Sequence, residues 1–180
     1  ARQYFPDWVV RFYVDSSVPH YVIDFIHNMG AQIFVERPNQ ELRQKLSWRF
    51  KVANDGNVDR FLVRDVDSLL SQREALAVHE WQKSGKSFHV MRDWWTHTDL
   101  ILAGMWGGKA GILPDLWALL AEYKPPHLET PNVDQWFLRD KIWPLINGDV
   151  IIHDRFFRAL NSLPWPGLPP TGNLHVGQDV

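Results

Sequence analysis

The chain is 180 residues long, 45% hydrophobic and 22% charged, with a formal net charge of −2. Those values describe one globular domain with a substantial core, and without a run of Lys or Arg they exclude nucleic-acid binding through a basic surface. Cysteine is absent, which excludes disulfides, thiolate metal sites and Cys nucleophiles, and neither a membrane span nor a signal peptide is visible.

The first predicted strand is Trp8 to Val14, a β-rich apolar run. Asp15-Ser16-Ser17 supplies cap residues and Pro19 suits an early helical position. Tyr21, Val22, Phe25, Ile26 and Met29 recur at helical spacing, and Gly30 ends that helix. Gln32 to Val35 reads as a strand. Asn39 to Ala53 reads as a helix with Leu42, Leu46, Phe50 and Ala53 on one stripe, followed by a turn at Asn54-Asp55-Gly56-Asn57. Phe61 to Val63 is the next strand. Ser71-Gln72-Arg73-Glu74 matches a capping box, and Ala75, Val78 and Trp81 give the stripe of a helix that Gly85 closes. Ser87 to Met91 reads as a strand. Leu100 to Trp106 is apolar and ends in Gly107-Gly108. Pro114 to Tyr123 and Val133 to Ile146 are helical by pattern, and Val150-Ile151-Ile152 is a short buried strand. From Pro164 onward, Pro164, Pro166, Pro169 and Pro170 with Gly167 and Gly172 imply an extended surface tail.

Alternation of this kind predicts an α/β fold, a three-layer α/β/α sandwich with a mainly parallel sheet. Residues 1–163 form one domain and 164–180 its Pro/Gly-rich tail. The ten Trp residues are expected mostly in the core, although Trp also stacks on sugars and nucleotides.

The chemistry-bearing residues gather at predicted strand ends. Asp65-Val66-Asp67 follows the Phe61–Val63 strand. If the strand continues, alternate side chains share a face and both carboxylates aim together. Two hard oxygen ligands suit Mg²⁺ or Mn²⁺, and those ions suit a diphosphate. Arg60 and Arg64 add positive charge for the same phosphates. Arg92-Asp93 ends the Ser87–Met91 strand, and His153-Asp154 ends the last one. Ligands of parallel sheets bind outside such ends. His153 is a candidate third metal ligand, better suited to Mn²⁺ than to Mg²⁺. Asp134, in the first turn of a predicted helix, either complements the helix dipole or serves as a base. Gly104, Gly107 and Gly108 around Met105-Trp106 either form a turn or admit a ligand close to the backbone.

From Asn57 to Asp154 the order of motifs resembles glycosyltransferases of the GT-A type, in particular bacterial and viral sugar-transferase domains of polysaccharide assembly. The matching pieces are Arg64-Asp65-Val66-Asp67-Ser68, Arg73-Glu74, His89-Val90-Met91-Arg92-Asp93, Gly104-Met105-Trp106-Gly107, Asp134-Gln135 and His153-Asp154.

The resemblance implies a GT-A, Rossmann-like fold and a hexosyltransferase-type enzyme. It would move a sugar from a nucleoside-diphosphate sugar to a carbohydrate or other hydroxyl acceptor. Asp65, Asp67 and His153 would hold Mn²⁺ or Mg²⁺. Arg60, Arg64, Asp65, Arg92, Asp93, Gly104, Trp106 and Gly107 would bind the donor, and Asp134 would be catalytic. Such folds begin with a nucleotide-gripping strand. Here Ala1 to Tyr4 reads as the end of a helix before the first clear strand, so either the opening strand is missing from a sequence trimmed out of a larger chain, or the first element is unusual. No nucleic-acid partner is expected, and a cytoplasmic location follows from the lack of targeting signals.

Two alternatives compete. A haloacid-dehalogenase-like phosphohydrolase also places Asp-x-Asp after a strand, but Leu69 occupies the position where that motif carries Thr or Val. A non-catalytic carbohydrate-binding module would fit the Trp content, but such modules are mostly all-β.

Overall fold

The computed structural model describes residues 1–38, 40–125, 132–172 and 174–178. The chain forms a mixed α/β fold with two sheets. Strand β1 (Arg11–Val14), helix α1 (His20–Asn28) and strand β2 (Gln32–Val35) make a βαβ unit in which the two strands pair in parallel, Arg11 opposite Gln32. The apolar stripe of α1 is not core: Tyr21, Phe25 and Met29 are exposed. Asp15 receives Ser17 N–H at 2.9 Å, but no side chain caps α1, which begins directly after Pro19.

Helix α2 (Leu42–Ser47) passes into a 3₁₀ segment, Trp48–Asn54. The predicted start at Asn39 lies outside the described residues. Ion pairs tie this region to the βαβ unit, among them Lys45 to Asp15 at 2.9 Å and Arg11 to Asp55 at 2.6 Å.

The second sheet has four strands in the order β3 (Arg60–Val63), β5 (Trp106–Lys109), β4 (Phe88–Arg92), β6 (Val150–Asp154). Strand β5 is antiparallel to both β3 and β4, and β6 is parallel to β4. The expected mainly parallel sheet is therefore corrected to a mixed one. The reason lies in the two glycines read as a ligand-approach segment or turn. A Cβ on Gly107 would sit 2.4 Å from the Phe61 carbonyl oxygen, and one on Gly108 would sit 2.5 Å from the Phe88 ring. Bare backbone lets β5 slot between β3 and β4.

The registers nonetheless run β3, β4 and β6 in one direction. Their carboxyl ends meet at one edge of the sheet, as the sequence predicts.

Apolar side chains leave the sheet on both faces. Phe61, Val63, Phe88, Val90 and Ile152 join Phe50, Trp106, Leu116, Phe137 and Ile142 in the main core. Leu62 and Ile151 pack instead with Phe5, Val78 and Trp81. Burial of these side chains is the main favourable term in the fold. Helix α3 (Gln72–Lys83) covers that second face. Only half of its predicted capping box forms. Ser71 Oγ accepts Glu74 N–H at 3.2 Å, while the Glu74 carboxylate turns inward to Arg64.

Helix α4 (Leu116–Glu122) begins at Asp115, which caps it. The predicted Val133–Ile146 helix is one run in three parts, α5 (Val133–Phe137), a π turn (Leu138–Ile142) and α6 (Trp143–Ile146). Pro144 has no N–H to continue the ladder, which accounts for the change of pitch before it. Residues 1–7 form turns rather than a helix end. The described residues of the tail are irregular, as expected, but the tail is anchored. Trp165 is buried and donates its indole N–H to the Arg92 carbonyl at 2.9 Å. Val176 is buried and its N–H reaches Asp93 at 2.9 Å.

Candidate functional site

A cleft of about 270 Å³ opens at the edge where β3 and β4 end. Arg49, Asp65, His97, Gly104, Asp134 and Gln135 line it, with Gly177 of the tail on its wall. Asp65 stands in the connection after β3, and its carbonyl accepts Ser68 N–H at 3.2 Å. The strand has already ended at Val63, so Asp65 to Ser68 is a turn and extended alternation does not align Asp65 with Asp67. Both carboxylates face solvent, the Asp65 side chain being 49% exposed.

Asp134 is different: its side chain is only 3% exposed. Helix α5 sets it there in its first turn, where the helix dipole favours an anion. Its Oδ1 accepts Gln135 N–H at 2.8 Å and its Oδ2 accepts Arg49 Nη2 at 2.7 Å. Burial pushes the carboxyl up from the usual carboxylate value, against the pull of Arg49.

Arg49, from the 3₁₀ segment, gives its other edge to Asp65: Nη1 donates to Asp65 Oδ1. One planar guanidinium thus spans two carboxylates from distant parts of the chain, a use of the fork that Lys cannot reproduce. Gly104 makes room for it. A Cβ there would lie 1.9 Å from Asp65 Oδ2.

His97 comes from the loop after β4. Its Nδ1 accepts Asp93 N–H at 3.2 Å, so the neutral ring carries its proton on Nε2. Burial, with His175 alongside, lowers it to about 4, leaving a neutral ring at pH 7.

Several predicted site residues are placed elsewhere. Arg60 starts β3, at the opposite edge from the cleft. Arg64 turns to Glu74 and to the Val63 and Trp106 carbonyls. Arg92 is buried, bonding Asp154 at 2.9 Å and the Asp99 carbonyl at 3.2 Å, which pins the loop that carries His97. Asp93 is buried between Arg73, at 3.2 Å, and Val176 N–H. Trp106 is fully buried against Phe50 and Phe61. Gly107 serves strand packing.

His153 does not join Asp65 and Asp67. It is fully buried, 2.8 Å from His89 Nε2 and 3.2 Å from Glu80. Its ring packs near Trp165, and Trp81 stacks on His89. Among the described residues, no group of three or more His, Asp or Glu is arranged to hold a metal ion.

The cleft residues that sequence reasoning missed include Arg49, His97 and Gly177. Arg49 left a signal. It stands three residues after Leu46, inside the stripe Leu42, Leu46, Phe50 and Ala53, and a cation on an apolar face needs a partner.

No family model and no curated protein sequence matches the chain. Among solved structures it is similar to a glycosyltransferase involved in the glycosylation of the major capsid of PBCV-1. The TM-score is 0.48 at 13% identity, over 82% of this chain and 82% of that one. No helix among the described residues is long and apolar enough to cross a membrane.

Proposed function

We propose that this chain is a glycosyltransferase. It takes a sugar from a nucleoside-diphosphate sugar and delivers it to a hydroxyl of a carbohydrate acceptor. The observation that carries the reading is the pairing of two unlike carboxylates in one cleft at the strand ends. Exposed Asp65 and buried Asp134 share one guanidinium. The order of motifs from Arg64 to Asp154 supports the same reading.

Asp134 is the residue for chemistry. Its burial raises its basicity toward working pH. It accepts the proton of the acceptor hydroxyl as that oxygen forms a bond to the anomeric carbon. The bond from that carbon to the diphosphate oxygen breaks, and the electron pair leaves with the nucleoside diphosphate. Arg49 holds Asp134 in place, and His97 offers an N–H from Nε2 to substrate oxygens. Gly104 keeps the backbone low beside Asp65.

Asp65 and Asp67, both exposed in the turn after β3, are the carboxylates that would hold a hard divalent cation. Mg²⁺ commonly uses one or two carboxylates and completes its shell with substrate phosphates and water. Bound Mn²⁺ or Mg²⁺ would supply charge neutralisation for the leaving diphosphate.

A thermal-shift screen of uridine, guanosine and thymidine diphosphate sugars, each with and without Mn²⁺, tests the reading. A ligand that binds the native state raises the melting temperature. A metal-dependent rise with one donor is expected. Flat melting curves with every donor, with and without Mn²⁺, contradict it.

A further inference from the structure

We propose that Arg49 is a positioning residue of this cleft, fixing the Asp134 carboxylate against the acidic turn so that the two carboxylates act as one unit. Three elements separated in sequence meet in it: the 3₁₀ segment, the turn after β3 and the first turn of α5. Nη1 reaches Asp65 and Nη2 reaches Asp134 at 2.7 Å. The remaining Asp134 oxygen is held by Gln135 N–H, so both oxygens are fixed in direction.

Arg49 is itself held. Its guanidinium lies 5.8 Å from the centre of the Phe50 ring, within cation–π range. Its Nε is buried without a hydrogen-bond partner in the fold. A buried donor left unpaired is costly, and the two charge-assisted bonds from the other nitrogens offset that cost. The arrangement favours geometry over local satisfaction, as expected where a carboxylate must be aimed.

A carboxylate displaced by about 1 Å can cost roughly 10²-fold in rate. Arg49→Ala should therefore lower kcat by about that factor, with a much smaller change in KM. The role in turnover rests on the glycosyl-transfer reading, whereas the Arg49–Asp134 link does not.

The test has two arms. The first follows nucleoside diphosphate release from the donor that shifts the melting temperature. Arg49→Ala should be slow, and millimolar guanidinium should restore part of its turnover, while methylammonium should not. Arg49→Lys keeps the charge and loses the fork, so it should fall between wild type and Arg49→Ala, and it serves if the alanine variant folds poorly. Unchanged kcat, a loss confined to KM, or no response to guanidinium overturns the proposal. The second arm needs no donor. Arg49→Gln and Asp134→Asn, singly and together, enter a double-mutant cycle read by urea denaturation. Non-additive effects support the link, and additive effects overturn it. If no donor is ever processed but the cycle shows coupling, the glycosyl-transfer reading falls and the Arg49–Asp134 link stands.

Discussion

Arg49 Nη2 donates to Asp134 Oδ2 at 2.7 Å, joining two residues that lie 85 positions apart in the chain. The pair brings the 3₁₀ segment against the first turn of α5 and closes one side of the cleft. Asp65, on the other edge of the same guanidinium, is half in solvent. One end of the unit is dry and the other wet. In the glycosyl-transfer proposal, the dry end carries the base and the wet end the metal and diphosphate.

Two glycines in one segment should separate function from fold. In Gly104→Ala the new Cβ meets the end of the Asp65 side chain, which can swing into solvent. Stability should fall less than in Gly107→Ala, while the metal-dependent melting shift disappears. In Gly107→Ala the Cβ meets the Phe61 backbone carbonyl at 2.4 Å, which cannot swing. Overpacking of that kind costs about 1–3 kcal/mol. Urea denaturation and nucleotide-sugar thermal shifts on both variants check the contrast; equal loss of stability in the two would contradict it.

The pH dependence of turnover follows from Asp134. The base must be ionised, and burial raises its carboxyl above the ordinary value. The acidic limb of kcat should therefore fall above the usual carboxylate range, and Arg49→Gln should move it higher still. A limb at the ordinary carboxylate value would show that a solvent-exposed group titrates instead.

Stability should fall on mild acidification. Burial lowers His89, His97 and His153, His97 to about 4. Between the unfolded value of 6.5 and the lowered folded values, the unfolded chain binds more protons, so stability rises with pH. Their contribution is full above 6.5 and is lost as pH falls through that window. The raised Asp134 carboxyl acts in the opposite direction, as one group against three. Urea midpoints should hold from pH 7.5 to about 6.5 and decrease from there to pH 5; a flat series through that lower range would contradict the buried neutral histidines.

Much of the element order was legible because the periodicities were strong. Gln32–Val35 appears as read, and α3 falls where Ser71 and Gly85 frame it. The common edge for the ends of β3, β4 and β6 was legible too. The direction of β5 was not, because an apolar run ending in two glycines reads as a turn until its neighbours are known. Asp65, Gly104 and Asp134 line the cleft. The arginines did not behave as a group. Arg64 and Arg92 bond Glu74 and Asp154, partners that sequence spacing does not reveal. His153 follows the same rule, since its strand turns it to Glu80 and His89.

The most direct test follows binding and turnover together. Wild type, Asp67→Ala and Asp134→Asn are compared with the donor from the thermal-shift screen and Mn²⁺, by melting shift and by nucleoside diphosphate release. Asp67→Ala should lose the metal-dependent shift. Asp134→Asn should keep the shift and lose turnover. Loss of binding in both variants, or full turnover in Asp134→Asn, would contradict the assignment of binding to the acidic turn and chemistry to Asp134.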